Sequence, residues 1–173
     1  RPELIGLQET VRRLEVCSRD LTRSINRLHN LLSRVFPEIE SLAHSFKAKW
    51  LLRLLKRYPT PKKIAAARTM SLLKIPYLSE ANAKDLKKAA RSSVASMEES
   101  VAEFLVEQLV DQTTQLLRMK AKIEKSIVSQ ARRANSDVFG FLMSIPGIGT
   151  ATASILMAKI GNIKRFETPK KLV

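Results

Sequence analysis

The sequence has 173 residues, 45% of them hydrophobic, which is enough for one or two folded domains with a buried core. Only five glycines, together with abundant Leu, Ala, Lys, Arg and Glu, predict an all-α fold. A formal net charge of +15 predicts a polyanionic partner. The single cysteine excludes an internal disulfide framework and a cysteine-rich zinc site. The sequence has no apolar run long enough to span a membrane, which favours a cytosolic location.

Residues 1–36 are predicted to form one long helix with an apolar seam. Nine of the ten a and d heptad positions between residues 4 and 35 are apolar, which is typical of a coiled coil. The flanking positions lack the alternating charges that would select a partner, so the seam fits self-association as well as packing within one chain. The seam residues are Leu4, Leu7, Val11, Leu14, Leu21, Ile25, Leu28, Leu32 and Val35.

Residues 37–91 are predicted to be a basic helical insert. Residues 41–79 contain no carboxylate, and Thr60-Pro61 is a helix-start signal followed directly by lysines. A basic surface of this kind favours nucleic acid over a merely solvated helix face. The candidate nucleic-acid-binding residues of the insert are Lys47, Lys49, Arg53, Lys56, Arg57, Lys62 and Lys63.

Residues 92–135 are predicted to be a second long helix that pairs with a coiled coil. Four carboxylates, on Glu99, Glu103, Glu107 and Asp111, lie four residues apart on one face. Like charges at this spacing repel, so this acidic stripe predicts a basic neighbour. Either the arginine face of the first helix or the basic insert could supply it.

Residues 136–173 contain the sequence Ile145-Pro146-Gly147-Ile148-Gly149-Thr150-Ala151 between two segments of helical apolar spacing. The proline ends one helix, and the glycines permit a tight turn with accessible backbone. This pattern resembles the helix-hairpin-helix motif, in which the amides of a hairpin hold a nucleic-acid phosphate at a helix start. A helix corner that binds nothing is the alternative. The candidate residues are Gly147, Ile148, Gly149 and Thr150, with Lys159, Lys164, Arg165 and Lys170 adding positive charge.

Residues 72–79 repeat the pattern of residues 142–149, with Leu-x-x-Ile-Pro at the same places. Tyr77 and Ser79 stand where the later copy has Gly147 and Gly149. Side chains at these two positions make the amides less accessible, so the earlier copy is not expected to hold phosphate.

The last thirty residues, from Ser144-Ile145-Pro146-Gly147 to Lys170-Lys171-Leu172-Val173, resemble the DEDD-type insertion-sequence transposases, which include the bridge-RNA-guided serine recombinases and the pilin-gene invertase. The heptad helix and basic insert agree with that family in order and length. The resemblance implies that this chain covers the coiled coil and the truncated start of a C-terminal transposase domain. The family's four metal-binding acids, expected to hold Mg²⁺, would precede Arg1, and its nucleophilic serine would follow Val173.

The chain itself carries no recognisable catalytic arrangement, no metal cluster and no cofactor motif. The leading hypothesis is an all-α fragment of a DNA transposase, with long coiled-coil helices, a helical insert and a C-terminal helix-hairpin-helix. Its expected partners are DNA, a structured guide RNA, or both, and a second copy of the chain. A non-catalytic helix-hairpin-helix accessory protein and a helical scaffold that binds an acidic protein are the alternatives.

Overall fold

The computed structural model describes residues 2–94 and 96–161, where all regular secondary structure is helical, so the predicted all-α fold is confirmed. No helix among these residues is long and apolar enough to cross a membrane. The helices are α1 (Pro2–Val35), α2 (Ile39–Leu42), α3 (Lys49–Arg57), α4 (Pro61–Ala66), α5 (Thr69–Leu72), α6 (Glu80–Arg91), α7 (Glu99–Ala134), α8 (Ser136–Met143) and α9 (Thr150–Ile160).

The chain divides into two compact units. Of the described residues, unit 1 contains 2–19 and 118–161, whereas unit 2 contains 20–94 and 96–117. Each unit has its own apolar core. In unit 1 the core joins parts of α1 and α7 to α8 and α9, and in unit 2 it joins the remaining parts of α1 and α7 to the insert helices α2 to α6.

The apolar seam of α1 packs against α7 of the same chain within each unit. In unit 1 it meets Ile127 and Ala131, and in unit 2 it meets Val106 and Val110. Packing within one chain, one of the two alternatives left open by the heptad pattern, is therefore present, while self-association stays a prediction. Leu4 and Ile25 are half-buried, and the other seven seam residues are buried, namely Leu7, Val11, Leu14, Leu21, Leu28, Leu32 and Val35.

Helix α7 begins at Glu99, later than the predicted start at Ser92. The amide of Ser96 makes a hydrogen bond that a continuous helix would not allow, because its acceptor lies outside the helix. Ser93 donates from its hydroxyl to a carboxylate oxygen of Glu38 at 2.7 Å, and the amide of Ser96 donates to the carbonyl oxygen of Arg34 at 3.1 Å. These bonds tie the segment before α7 to the end of α1 and the turn after it.

The acidic stripe of α7 lies against the basic insert, which confirms the prediction of a basic neighbour. Lys62 approaches Glu99 at 2.8 Å and Lys56 approaches Asp111 at 2.7 Å. The hydrogen bond from Lys62 lowers the pKa of Glu99, and the hydrogen bond to Asp111 raises the pKa of Lys56. Both shifts favour the charged form, of the Glu99 carboxylate in one pair and of the Lys56 ammonium in the other.

One polar pair interrupts the apolar contact of α1 with α7 in unit 2. The hydroxyls of Ser24 and Thr113 lie 2.8 Å apart, and their residues are only 1% and 0% exposed. One hydroxyl donates a hydrogen bond to the other in a site that water does not reach. A buried polar pair of this kind favours one register of the two helices over shifted ones, because a shift would leave both groups unpaired.

We expect Thr113→Val to lower the free energy of unfolding by about 1–3 kcal/mol, because it leaves the buried Ser24 hydroxyl without this partner. Adding Ser24→Ala should cost less than the sum of the two single changes, since the double variant has no unsatisfied hydroxyl. Urea unfolding of the four proteins measures both effects. Strictly additive losses would show that the two hydroxyls are not coupled.

Candidate nucleic-acid interface

The hairpin of residues 142–149, called here the Gly147 hairpin, connects α8 to α9 in unit 1. Pro146 cannot continue α8, and Gly147 follows with a φ of +88°, a left-handed conformation that favours glycine. The amide of Ile148 then donates to the carbonyl oxygen of Ile145 at 3.1 Å, which closes the turn. The chain is extended at Gly149 and enters α9 at Thr150.

The two sides of the Gly147 hairpin differ in exposure. The side chain of Ile148 packs against the unit 1 core, whereas Gly147, Gly149 and Thr150 are exposed. The Ile148 amide is already bonded, so the predicted set of four phosphate-holding amides is reduced by one. No hydrogen bond within the described residues engages the amides of the other three. Because glycine at the cap has no side chain, no side chain caps the first turn of α9.

The earlier copy of the pattern, residues 72–79, forms the same backbone hairpin in unit 2 and is called here the Tyr77 hairpin. Tyr77 has a φ of +71° where the later copy has +88° at Gly147. The amide of Leu78 donates to the carbonyl oxygen of Ile75 at 3.2 Å, which matches the closing bond of the Gly147 hairpin. The sequence signal for this shared geometry was the repeated Ile-Pro dipeptide, which sets the end of the preceding helix in both places.

The two hairpins differ at the helix start that each one leads to. The hydroxyl of Ser79 accepts a hydrogen bond from the amide of Asn82 at 3.2 Å, so one first-turn amide of α6 is already occupied. Gly149 offers no such acceptor to α9. The Tyr77 hairpin therefore has a capped helix start, and the Gly147 hairpin an open one.

Three of the seven cations predicted for the insert surface turn toward α7 instead. Lys56, Lys62 and Lys63 form ion pairs with Asp111, Glu99 and Glu103. The lysines after Thr60-Pro61 thus meet protein carboxylates near the start of α4, so no phosphate is needed to explain their position. The four remaining cations of the predicted set are exposed, namely Lys47, Lys49, Arg53 and Arg57, the last with its guanidinium 5.5 Å from the ring centre of Tyr58.

Of the four cations predicted to assist the Gly147 hairpin, the described one, Lys159, lies away from it. Lys159 lies in the last turn of α9, about 14 Å along the helix axis from Thr150. It pairs with Glu15 of α1 at 2.9 Å, and its hydrogen bond lowers the pKa of that carboxyl group. Lys159 therefore braces α9 against α1. The other three, Lys164, Arg165 and Lys170, lie outside the described residues.

Comparisons with known proteins match both hairpin regions to protein families. Residues 140–173 match the family described as Transposase IS116/IS110/IS902, and residues 48–92, which include the Tyr77 hairpin, match the SAM-like helix-hairpin-helix tandem. A Sinorhizobium fredii protein with the provisional name transposase y4uE is 36% identical over 74 residues, or 43% of this chain. That match spans 21% of the relative, about a fifth of its length. These similarities support a transposase as the class of protein.

Substitutions at Gly147 and Tyr77, the left-handed residues of the two hairpins, should have different effects on the free energy of unfolding. Gly147→Ala should lower the free energy of unfolding by about 1 kcal/mol, because it places a Cβ atom at positive φ. Tyr77→Gly should not lower it, since glycine relieves the same strain and the tyrosine is 83% exposed. Thermal and urea unfolding of both variants measure the difference. An equal loss in both variants would contradict the assigned backbone geometry.

Proposed function

We propose that this chain is a nucleic-acid-binding part of a transposase and that the Gly147 hairpin holds the phosphate backbone. The observation that carries the proposal is the open helix start at Thr150, reached through two exposed glycines. The ligand contacts would be the amides of Gly147, Gly149 and Thr150, with Ile148 fixing the turn to the unit 1 core.

The physical basis is that the amides at the start of a helix have no intrahelical acceptors. The amides of Gly149 and Thr150 lie at the start of α9, where the helix dipole favours a negative charge, and the amide of Gly147 lies in the turn before it. A phosphate placed there replaces water on groups that are already oriented, so little reorganisation is needed. Since every nucleotide carries the same phosphate, such a contact positions a strand and does not read its sequence.

The exposed cations of the insert support the proposal in unit 2. Lys47, Lys49, Arg53 and Arg57 lie in or just before α3, and none forms an ion pair with a described carboxylate. Phosphate contacts by such side chains release counterions and make binding depend strongly on salt. Binding by this chain should therefore combine amide contacts at the Gly147 hairpin with salt-sensitive contacts at α3.

The wider proposal follows the family resemblance of the last thirty residues. The parent protein would be a DEDD-type transposase of a bacterial or archaeal cytoplasm that takes its target from a guide RNA and joins DNA through a serine. A second copy of the chain would associate through the coiled coil. By the same resemblance, the acids that bind Mg²⁺ would precede Arg1. The described residues contain no group of His, Cys, Asp and Glu able to hold a metal ion.

A helix-hairpin-helix accessory protein of repair or recombination is the second candidate, because two hairpins of one backbone geometry occur in this chain. The full reading frame separates the two. The transposase requires metal-binding acids upstream and a nucleophilic serine downstream, and an accessory protein requires neither.

Thr150→Pro should remove one donor from the proposed phosphate site without changing charge or fold. Proline is accepted at the first helical position, and the extended Gly149 before it is compatible with proline. Loss of a hydrogen bond to a charged group should weaken binding to a short DNA duplex by about tenfold. Fluorescence anisotropy measures the affinity.

Thr150→Ala is the matched control for that variant, because it removes the hydroxyl and keeps the amide. It should bind like the original chain. Equal affinity of the proline and alanine variants would remove the Thr150 amide from the account.

Gly147→Asp combined with Gly149→Asp should weaken binding far more, because two carboxylates would lie where phosphate is proposed to bind. Asn26→Asp with Asn30→Asp is the control, since both asparagines are exposed on α1 and the formal charge falls equally from +15 to +13 (15 − 2). We expect the hairpin variant to lose about tenfold or more relative to this control. Equal losses would reduce the effect to net charge alone.

A further inference from the structure

The part of α7 that belongs to unit 1 carries a row of exposed cations, called here the α7 basic stripe. Its members are Arg118, Lys122, Lys125, Arg132 and Arg133. At 100° per residue, all five fall within about 60° of one line along the helix. Ile127 and Ala131, which face the core of unit 1, lie on the opposite side.

None of the five cations forms an ion pair with a described carboxylate. This distinguishes them from most other charged residues of α7. Lys120 pairs with Glu124, and Glu99, Glu103 and Asp111 of the acidic stripe pair with lysines of the insert. Arg132 lies with its guanidinium 5.4 Å from the ring centre of Phe139, and Arg133 donates to the hydroxyl of Ser129 at 3.2 Å. Arg118, Lys122 and Lys125 extend into solvent.

The helix dipole does not account for this row. Cations favour the C-terminal turn of a helix, and the effect is lost within about one turn. It covers Arg132 and Arg133, since α7 ends at Ala134. Arg118, Lys122 and Lys125 lie more than two turns before that end, at spacings of four and three residues where like charges repel. An unpaired row of this kind lowers the stability of the free helix unless a polyanion neutralises it.

The surroundings of the row indicate the kind of polyanion. Between the cations lie small residues, Ala121, Ser126 and Ser129, and no large apolar residue is exposed between residues 118 and 133. Protein interfaces need apolar or aromatic anchors, and single-stranded nucleic acids need aromatic rings on which bases stack. Neither is present here. A straight row of cations about 22 Å long instead fits the evenly spaced phosphates of a double helix.

We propose that the α7 basic stripe is a second nucleic-acid contact that lies along the phosphate backbone of a double helix. This rests on the proposed function, since both contacts would serve one nucleic-acid-binding chain. The Gly147 hairpin would grip one phosphate through amides, and the stripe would neutralise a series of phosphates through side chains. The shared ligand chemistry is that of DNA and RNA double helices.

The test removes three charges from the stripe in Arg118→Gln/Lys122→Gln/Lys125→Gln, leaving Arg132 beside Phe139. The matched control is Arg19→Gln/Arg27→Gln/Arg34→Gln on α1. These arginines are also exposed, form no ion pair with a described carboxylate, and their loss lowers the formal charge equally from +15 to +12 (15 − 3). Affinity is measured over a range of salt concentrations for a DNA duplex, an RNA hairpin and a single strand of equal length. Circular dichroism checks that all variants remain helical.

The stripe variant should bind duplexes about tenfold more weakly than the control, and its slope of log affinity against log salt should fall by about 0.9 for each lost phosphate contact. The double-helical ligand whose affinity falls more, the DNA duplex or the RNA hairpin, identifies the nucleic acid that the stripe contacts. A stripe variant equal to the control, or an equal loss on the single strand, overturns the inference. If the hairpin variants bind normally while the stripe variant does not, the proposed hairpin contact fails and the stripe stands.

Discussion

The structure depends on the burial of the α1 seam against α7 within the same chain. Each fully buried leucine in such a contact contributes about 1.5–3 kcal/mol of transfer free energy, so the seam contributes to the stability of both units. In unit 1, Leu7, Val11 and Leu14 share a core with Phe139 and Met157, residues of α8 and α9. The seam thereby fixes the two helices that flank the Gly147 hairpin. Because Ile148 is anchored in this core, the glycines face solvent.

The acidic residues of the chain form ion pairs with some of its basic surfaces. Other basic surfaces have no such pairs and are accessible to a ligand. The acidic stripe of α7 forms ion pairs with Lys56, Lys62 and Lys63, and Glu15 forms one with Lys159. These pairs are solvent-exposed, so each contributes little to the free energy of folding. Their main effect is to orient the lysine side chains toward the carboxylates. Some of the basic side chains of the protein are therefore neutralised by carboxylates of the same chain, and others are not. Exposed cations without an ion pair to a described carboxylate remain at α3 and along the α7 basic stripe, and also elsewhere, for example at Arg27 and Arg91.

The sequence predicted the helices well where periodicity was long and uninterrupted, as in α1, and less well where serines changed the local hydrogen bonding, as before Glu99. It also identified the Gly147 hairpin, because proline and glycine constrain the backbone directly. It could not show which lysines pair with carboxylates, since that depends on contacts between residues far apart in the chain, such as Lys62 with Glu99. The prediction that Lys159 assists the Gly147 hairpin was based on closeness in sequence. Lys159 lies at the far end of α9 from the hairpin.

The central claim is that open amides of the Gly147 hairpin contact phosphate, and amide chemical shifts test it most directly. Titration of the ¹⁵N-labelled chain with a short DNA duplex should move the amide proton resonances of Gly147, Gly149 and Thr150 downfield, as new hydrogen bonds form. The Ile148 amide, already bonded to Ile145, should move least and serves as an internal reference. Saturable binding with these three resonances unmoved would contradict the account.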